Sequence, residues 1–594
     1  MTASALPRRE FLKRAAAAAA SAAALRALGD GPGADAAPAP APPAGPRARR
    51  PNIVFVFSDE HRWCSLPFTE MPELRAPNLE RLAREGIRFD HCISNNPICT
   101  PMRGMLLTGL WPHRSTCLSN DWFGDLEIVG VKSPTLAHTF KAAGYTTGYI
   151  GKWHLGEDNV RNTGFDFFRH WLYGDDHWET KTRDVPSGED YRIAKGYNAT
   201  LMTDEALDFI GAHAADEKPF LLMLSINPPH WRWDDAPNEF LDLYPEGRLP
   251  FRPNVAEERY RRDKDLLYYR HYHAHISAVD RELGRVIEAL DRHGIAGDTV
   301  LIYTSDHGSS FGSNGVANKA NPFDEAIRVP FLARCPGRIP AGRVSDRLLG
   351  AIDLHPTLCG LAGIPKPVYC DGLDFSDTVL GRGGPDPATQ LIHVINFQRN
   401  YYRSVLDPEM PNIFHPFRGV RSKRYTFTVG VRGDWQLFDN REDPFQQRNR
   451  VDDPALAGVR EELRRELERW LAVSEDPFIP PEWRALPLPE RIALQNRHYS
   501  LRPFLGEWER YKANALAPRL AAAPPERHAA LRAAADRVFD EDFFGRYKAL
   551  AVEIEGKRPQ TKIPAETLKE RLVRLEEAAA ARFAAECARA LSGA

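Results

Sequence analysis

Two stretches of unbroken apolar sequence, each running into charged residues, set the tightest limit on what this chain can fold into. The first is Pro51-Asn52-Ile53-Val54-Phe55-Val56-Phe57-Ser58, which leads straight into Asp59-Glu60. The second is Thr299-Val300-Leu301-Ile302-Tyr303-Thr304, which ends in Ser305-Asp306-His307-Gly308. A strand that is apolar on both faces must be covered on both, the condition of a buried parallel strand. Between such runs the periodicity turns helical: Ile276, Val279, Leu283, Val286, Ile287 and Leu290 share one face, and the pattern stops at Gly294. Alternating strands and helices predict an α/β fold, a large mainly parallel sheet flanked by helices. Open sheets of this kind take ligands beyond the carboxyl ends of their strands, where Asp59 and Glu60 fall.

Six further segments stand out. Cys99-Thr100-Pro101-Met102-Arg103 reads C-x-P-x-R and continues Gly104-Met105-Leu106-Leu107-Thr108-Gly109. By itself Cys99 reads as a small buried thiol, the usual state of a free cysteine. Gly144-Tyr145-Thr146-Thr147-Gly148-Tyr149-Ile150 is followed by Gly151-Lys152-Trp153-His154-Leu155-Gly156. Asn227-Pro228-Pro229-His230 follows a strand-like Pro219–Ser225. Lys319 precedes Phe323-Asp324-Glu325-Ala326-Ile327-Arg328-Val329-Pro330-Phe331. Asp353-Leu354-His355-Pro356-Thr357-Leu358 and Leu437-Phe438-Asp439-Asn440-Arg441-Glu442-Asp443-Pro444 complete the series.

Taken in this order, over roughly residues 51 to 470, the segments resemble the type I, formylglycine-dependent sulfatases of the alkaline phosphatase superfamily. The resemblance implies an alkaline phosphatase-like fold and hydrolysis of a sulfate ester to an alcohol and inorganic sulfate. It implies that Cys99 is oxidised to formylglycine. The hydrate of that aldehyde carries two hydroxyls on one carbon; one attacks sulfur and the other later expels sulfate. It further implies one divalent cation held by Asp59, Glu60, Cys99, Asp306 and His307. The mostly oxygen shell suits Ca²⁺, the family's usual ion, or Mg²⁺, while the histidine leaves Mn²⁺ open. Arg103 would hold the nucleophile and its metal surroundings, and Lys152 and Lys319 the sulfate oxygens. His154 would act as the base that releases sulfate and His230 as the acid for the departing alcohol.

The chain departs from the family pattern at three places. Glu60 stands where an aspartate is usual, and a solvated loop carboxylate is its plainer reading. Met102 replaces a usual Ser or Ala, and Leu110 a usual Arg or Lys. Two other readings stay open: a phosphonate or phosphate ester hydrolase of the same superfamily, and an unmodified protein that binds sulfated ligands. Trp231, Arg232 and Trp233, with Asp175-Asp176-His177-Trp178, could stack sugar rings or merely cover the core. Glycan sulfates stand ahead of small aryl or alkyl sulfates as substrate.

The rest of the sequence gives address and layout. Arg8-Arg9-Glu10-Phe11-Leu12-Lys13 and the Ala-rich stretch after it read as a Tat-type signal peptide over residues 1–37. A Pro/Ala-rich linker spans 38–50. The expected address is periplasmic or secreted, with the Tat translocon and a formylglycine-generating maturase as partners. The catalytic domain is expected over 51–384, a smaller antiparallel subdomain over 385–475 and a mainly helical extension over 476–594. In that extension Leu568, Leu572, Leu575, Ala579 and Phe583 approximate a helix face. A net charge of −2 argues against a general nucleic-acid binder. Eight cysteines in 594 residues, none in C-x-x-C spacing, make no disulfide scaffold. The mature chain is expected to hold no integral membrane segment.

Overall fold

The computed structural model describes residues 50–476 apart from 116, 119, 121–133, 156–162, 172–175, 186–191, 246–248, 257–267, 317, 396–415 and 431, and short pieces beyond, among them 523–535 and 581–589. The stretch read as a signal peptide, nearly all of the expected linker, and Leu568, Leu572, Leu575 and Ala579 of the C-terminal stripe lie outside the described residues. Among the described residues no helix is long and apolar enough to cross a membrane.

The first apolar run forms β1 (Asn52–Ser58), every residue of it buried. The other strands of the main sheet are β2 (Ile87–Ile93), β3 (Thr146–Lys152), β4 (Phe167–Trp171), β5 (Glu179–Val185), β6 (Arg192–Lys195), β7 (Phe220–Ile226), β8 (Thr299–Ser305), β9 (Arg328–Val329), β10 (Phe331–Arg334) and β11 (Arg343–Gly350). Their order is β11-β2-β10-β8-β1-β7-β3-β4-β5-β6, with β9 paired to β2. The central strands β8, β1, β7, β3 and β4 are parallel, as the apolar runs predict. Antiparallel strands enter on both sides: β10 pairs with β8 and β2, and β5 with β4. The sheet is therefore mixed around a parallel centre.

Successive side chains of β1 point to opposite faces and divide the core in two. Ile53, Phe55 and Phe57 pack with Met102, Met105 and Leu106 of α1 (Cys99–Thr108). Val54 and Val56 face Met202 and Phe209 of α2 (Asn198–His213) and Ile276, Val279 and Leu283 of α3 (Tyr269–Arg292). The expected helix around Ile276–Leu290 is thus real and longer than its apolar stripe. It ends near Gly294, whose φ of 69° suits glycine.

A second sheet is wholly antiparallel, in the order β12 (Thr389–Val394), β13 (Phe417–Ser422), β14 (Tyr425–Gly430) and β15 (Gly433–Asp439). The sequence places a small antiparallel subdomain over 385–475; its individual strands, β12 among them, come from the structure. Arg421 of β13 clamps both oxygens of Asp324 at 2.9 Å, tying this sheet to the segment after Lys319. In the C-terminal extension Phe583 is buried with Leu516, Leu531 and Cys587 in a small cluster of its own.

One glycine fixes how closely β3 approaches β7. Gly151 has a φ of 114°, and a Cβ there would lie 2.0 Å from the Ser225 carbonyl oxygen. Gly151→Ala is expected to cost at least about 2 kcal/mol of stability in a denaturant titration, through backbone strain and steric clash. An unchanged midpoint would mean that β3 can shift away from β7 without loss.

Candidate functional site

The parallel strands finish level with one another. Ser58 of β1 lies opposite Ile226 of β7 and Ser305 of β8, and Gly151 of β3 opposite Ser225. Whatever follows each strand is therefore delivered to one edge: Asp59-Glu60, Asp306-His307, Lys152 to His154, and the loop to His230. Opposite them, α1 starts at Cys99, which is fully buried. Pro101 in its first turn costs no hydrogen bond, because the first amides of a helix have no partner within it.

At the floor, Arg103 donates to Asp59 Oδ2 at 2.9 Å and to Asp306 Oδ2 at 3.1 Å through one terminal nitrogen. Its other terminal nitrogen donates to the Lys152 carbonyl at 2.9 Å and to Ser225 Oγ at 2.7 Å. Lys152 Nζ lies 2.7 Å from Asp59 Oδ2. Above this floor, Cys99 Sγ is 3.2 Å from His307 Nε2, 3.4 Å from Lys319 Nζ and 3.7 Å from Asp59 Oδ1. His154 also hydrogen-bonds Cys99. Lys319 Nζ is 2.9 Å from His230 Nε2 and 3.5 Å from Glu60 Oε2. All ten residues singled out in the sequence thus meet in one cluster. Glu60 sits on the Lys319–His230 side, its Oε2 3.6 Å from His230 Nε2. It is buried, against the plainer reading of a solvated carboxylate, and its Oε1 has no hydrogen-bond partner among the described residues.

The charges in this cluster displace one another's titration. Burial and the Cys99 sulfur push the Asp59 carboxyl up, but Lys152, His230 and Arg103 prevail and hold it well below the usual range. Asp306 moves the other way, to about 6, because it is buried beside an already ionised Asp59. His307 rises to about 9: burial opposes its charge, and Asp306 outweighs burial. Burial disfavours a Cys99 thiolate, yet Lys319, Lys152 and His307 bring the thiol well below its ordinary value. Burial keeps His154 below the ordinary imidazole value, so it is a neutral base near pH 7.

Comparison with known proteins bears on what such a cluster does. Residues 51–364, which contain all ten residues, match the family model described as Sulfatase. This chain belongs to the sulfatase family. A second model, the C-terminal region of N-sulphoglucosamine sulphohydrolase, matches residues 312–472 and takes in the antiparallel sheet. An ulvan-active sulfatase of Formosa agariphila is 31% identical, over 72% of this chain and 82% of its own. An endo-4-O-sulfatase of Bacteroides thetaiotaomicron is 29% identical over 73% and 94%. Among solved structures, a Bacteroides fragilis protein titled "putative sulfatase yidJ" superposes with a TM-score of 0.65 at 26% identity, over 75% of this chain and 99% of that one. The protein is a sulfuric ester hydrolase of the alkaline phosphatase superfamily.

In this sulfatase four of these residues could hold a divalent cation. Ligand atoms of Asp59, Cys99, Asp306 and His307 lie within 4.8 Å of one another. Two buried carboxylates so close are poorly neutralised by the protein alone, as the raised Asp306 shows. Two contributors carry no family-like motif. Ser225 accepts from Arg103 and is the one hydroxyl in the apolar strand β7, a signal visible only once the strand is placed. Asn120 accepts the Thr100 amide at 2.9 Å at the start of α1; no feature of its surroundings in sequence marks it.

Arg103→Met removes the one guanidinium shared by the two acids. In metal-free protein it is expected to cost about 3–5 kcal/mol, read from chemical denaturation. Undiminished stability would show that Lys152 alone suffices to neutralise the floor.

Proposed function

We propose that this sulfatase removes sulfate from a carbohydrate sulfate, using a formylglycine derived from Cys99 and one divalent cation. The observation that carries the reading is the position of Cys99. It opens a helix, buried, with two lysines and two histidines around it and two acids beneath it.

Oxidised to formylglycine, residue 99 would supply a hydrated aldehyde as nucleophile and, by its collapse, a way to release sulfate without attack by water on sulfur. The cation, for which Ca²⁺ fits the oxygen-rich donors best, would be held by Asp59, Asp306, His307 and residue 99, with Glu60 alongside. When bound it supplies Lewis acidity and screens sulfate charge. The protein's own groups do the remaining work. Lys152 and Lys319 fix positive charge where the sulfuryl oxygens would sit. His230, on the Lys319 side of the cluster, is placed to protonate the departing alcohol oxygen. His154, neutral and hydrogen-bonded to position 99, is placed to take the proton whose removal expels sulfate. Arg103 holds the carboxylates in register beneath them.

The carbohydrate reading draws on two relatives: one is named for activity on ulvan, and another is an N-acetylglucosamine-6-O-sulfatase. Trp231, which is 44% exposed, follows His230 directly and offers an aromatic face beside the leaving-group side. Export through the Tat route, from the twin-arginine segment, would bring the enzyme to polymers outside the cytoplasm.

Peptide mass spectrometry across Cys99, after production with a formylglycine-generating system, should find an aldehyde at that position. Cys99→Ala should reduce sulfate release from sulfated sugars by at least about 10³-fold while leaving the protein folded. Matched sulfate, phosphate and phosphonate esters should be turned over in that order of preference. An unmodified thiol in active protein, or full activity in Cys99→Ala, would overturn the mechanism. Preference for the phosphonate would overturn the substrate class.

A further inference from the structure

A second cluster of metal-ligand side chains lies outside the Cys99 site and shares no residue with it. His177 stands between β4 and β5, Asp235 ends the short 3₁₀ turn Trp233–Asp235, and His275 lies in the second turn of α3. A nitrogen of each histidine and an oxygen of the aspartate fall within 4.8 Å of one another. Both imidazoles are fully buried, and their ring centres are 4.8 Å apart.

The hydrogen bonds around the rings fix their direction. His177 donates from Nδ1 to Asp235 Oδ1 at 2.7 Å, and its amide donates to Oδ2 at 3.1 Å. His275 Nδ1 is 2.7 Å from the Tyr197 hydroxyl. His275 is thus held through Nδ1 by an oxygen partner, the arrangement that leaves the Nε2 lone pair of a neutral imidazole available for a cation, whereas His177 turns its Nδ1 to Asp235 Oδ1, where an ion shared with Asp235 would take the place of the Nδ1 proton. His177 Nε2 makes no hydrogen bond among the described residues, while His275 also interacts with the Asp235 carboxylate and the Trp233 backbone. Leaving such a nitrogen buried without a partner costs about 1–3 kcal/mol. His275 Nε2 lies 3.5 Å from Asp235 Oδ1. Two ligands at about 2.1 Å from one tetrahedral ion are about 3.4 Å apart, so this pair is already spaced to share one.

We propose that His177, Asp235 and His275 form a second metal site, for a borderline transition ion of the zinc class. Two imidazoles and one carboxylate are a donor set that zinc takes readily and calcium does not. The Asp235 side chain is 17% exposed, which gives the ion a way in and leaves a position for water. The ion would pin the turn five residues beyond His230 to the β4–β5 connection and to α3. Trp178 already reinforces that link, donating from its indole to the Asp235 carbonyl at 2.7 Å. The site is independent of the reaction proposed for Cys99; its role is to position the loop that carries His230 and Trp231.

The test is a zinc count. The full mature chain is stripped with a chelator, reloaded with zinc chloride in excess calcium, and analysed by elemental mass spectrometry. Wild type and Asp306→Asn should each retain about one equivalent, and His275→Ala at least about tenfold less. Because truncating a buried histidine can unfold the chain, Asp235→Asn is measured beside it, with circular dichroism to confirm folding. It keeps the volume while weakening the ligand, and it should also lose zinc. Absence of zinc from the wild type would overturn the proposal. So would zinc retained by folded Asp235→Asn, or zinc lost with Asp306→Asn and kept in His275→Ala.

Discussion

Everything at the centre of this sulfatase depends on two carboxylates buried under one guanidinium. Asp59 and Asp306 end adjacent parallel strands, and Arg103 reaches both through a single nitrogen. Ionised acids taken out of water cost several kcal/mol each, and only well-placed counter-charge offsets that. Arg103 is the right group because its planar fork can serve two acids and two further acceptors at once. Lys152 adds a point charge on Asp59 alone, which separates the two acids: one firmly ionised, the other displaced towards neutrality. A floor of this kind gathers negative charge where a divalent cation could be held.

The fold makes this affordable by spending rigid elements on it. Four parallel strands stop at one level, so that short extensions of β8, β1, β7 and β3 converge without long loops. The alternation of β1 buries apolar side chains on both faces and pins the height of Asp59. Gly151 lets β3 lie close enough to β7 for the Lys152 carbonyl and Ser225 hydroxyl to take the same guanidinium nitrogen. Helix α1 then sets Cys99 and Arg103 one turn apart, one at the reacting position and the other beneath the acids. The second sheet, locked by Arg421 on Asp324, braces the segment that brings Lys319 over the sulfur.

How much of this was legible depended on how local the signal was. Asp59, Glu60, Asp306 and His307 were marked by the apolar strands before them, and Cys99, Arg103, Lys152 and His154 by compact motifs. Lys319 and His230 could be named from short matches, but not that they would touch each other. Ser225 and Asn120 were not legible, because a hydroxyl or amide in sequence says nothing about which buried donor will seek it. Strand β12 and the antiparallel insertions β10 and β5 also escaped, since a short strand's direction is decided by its neighbours and not by its residues.

The sequence by itself determined the parallel centre of the sheet, the family and the identity of the ten residues in the cluster. These follow from periodicity and contiguous motifs, properties of the chain read a few residues at a time. Tertiary structure alone decided that Asp59 and Asp306 differ in their hold on a proton, that Glu60 leans to Lys319 and His230, and that His177, Asp235 and His275 meet. The physical reason is the same in each case: burial and electrostatic coupling act through space at distances of a few ångströms, between residues that lie far apart along the chain.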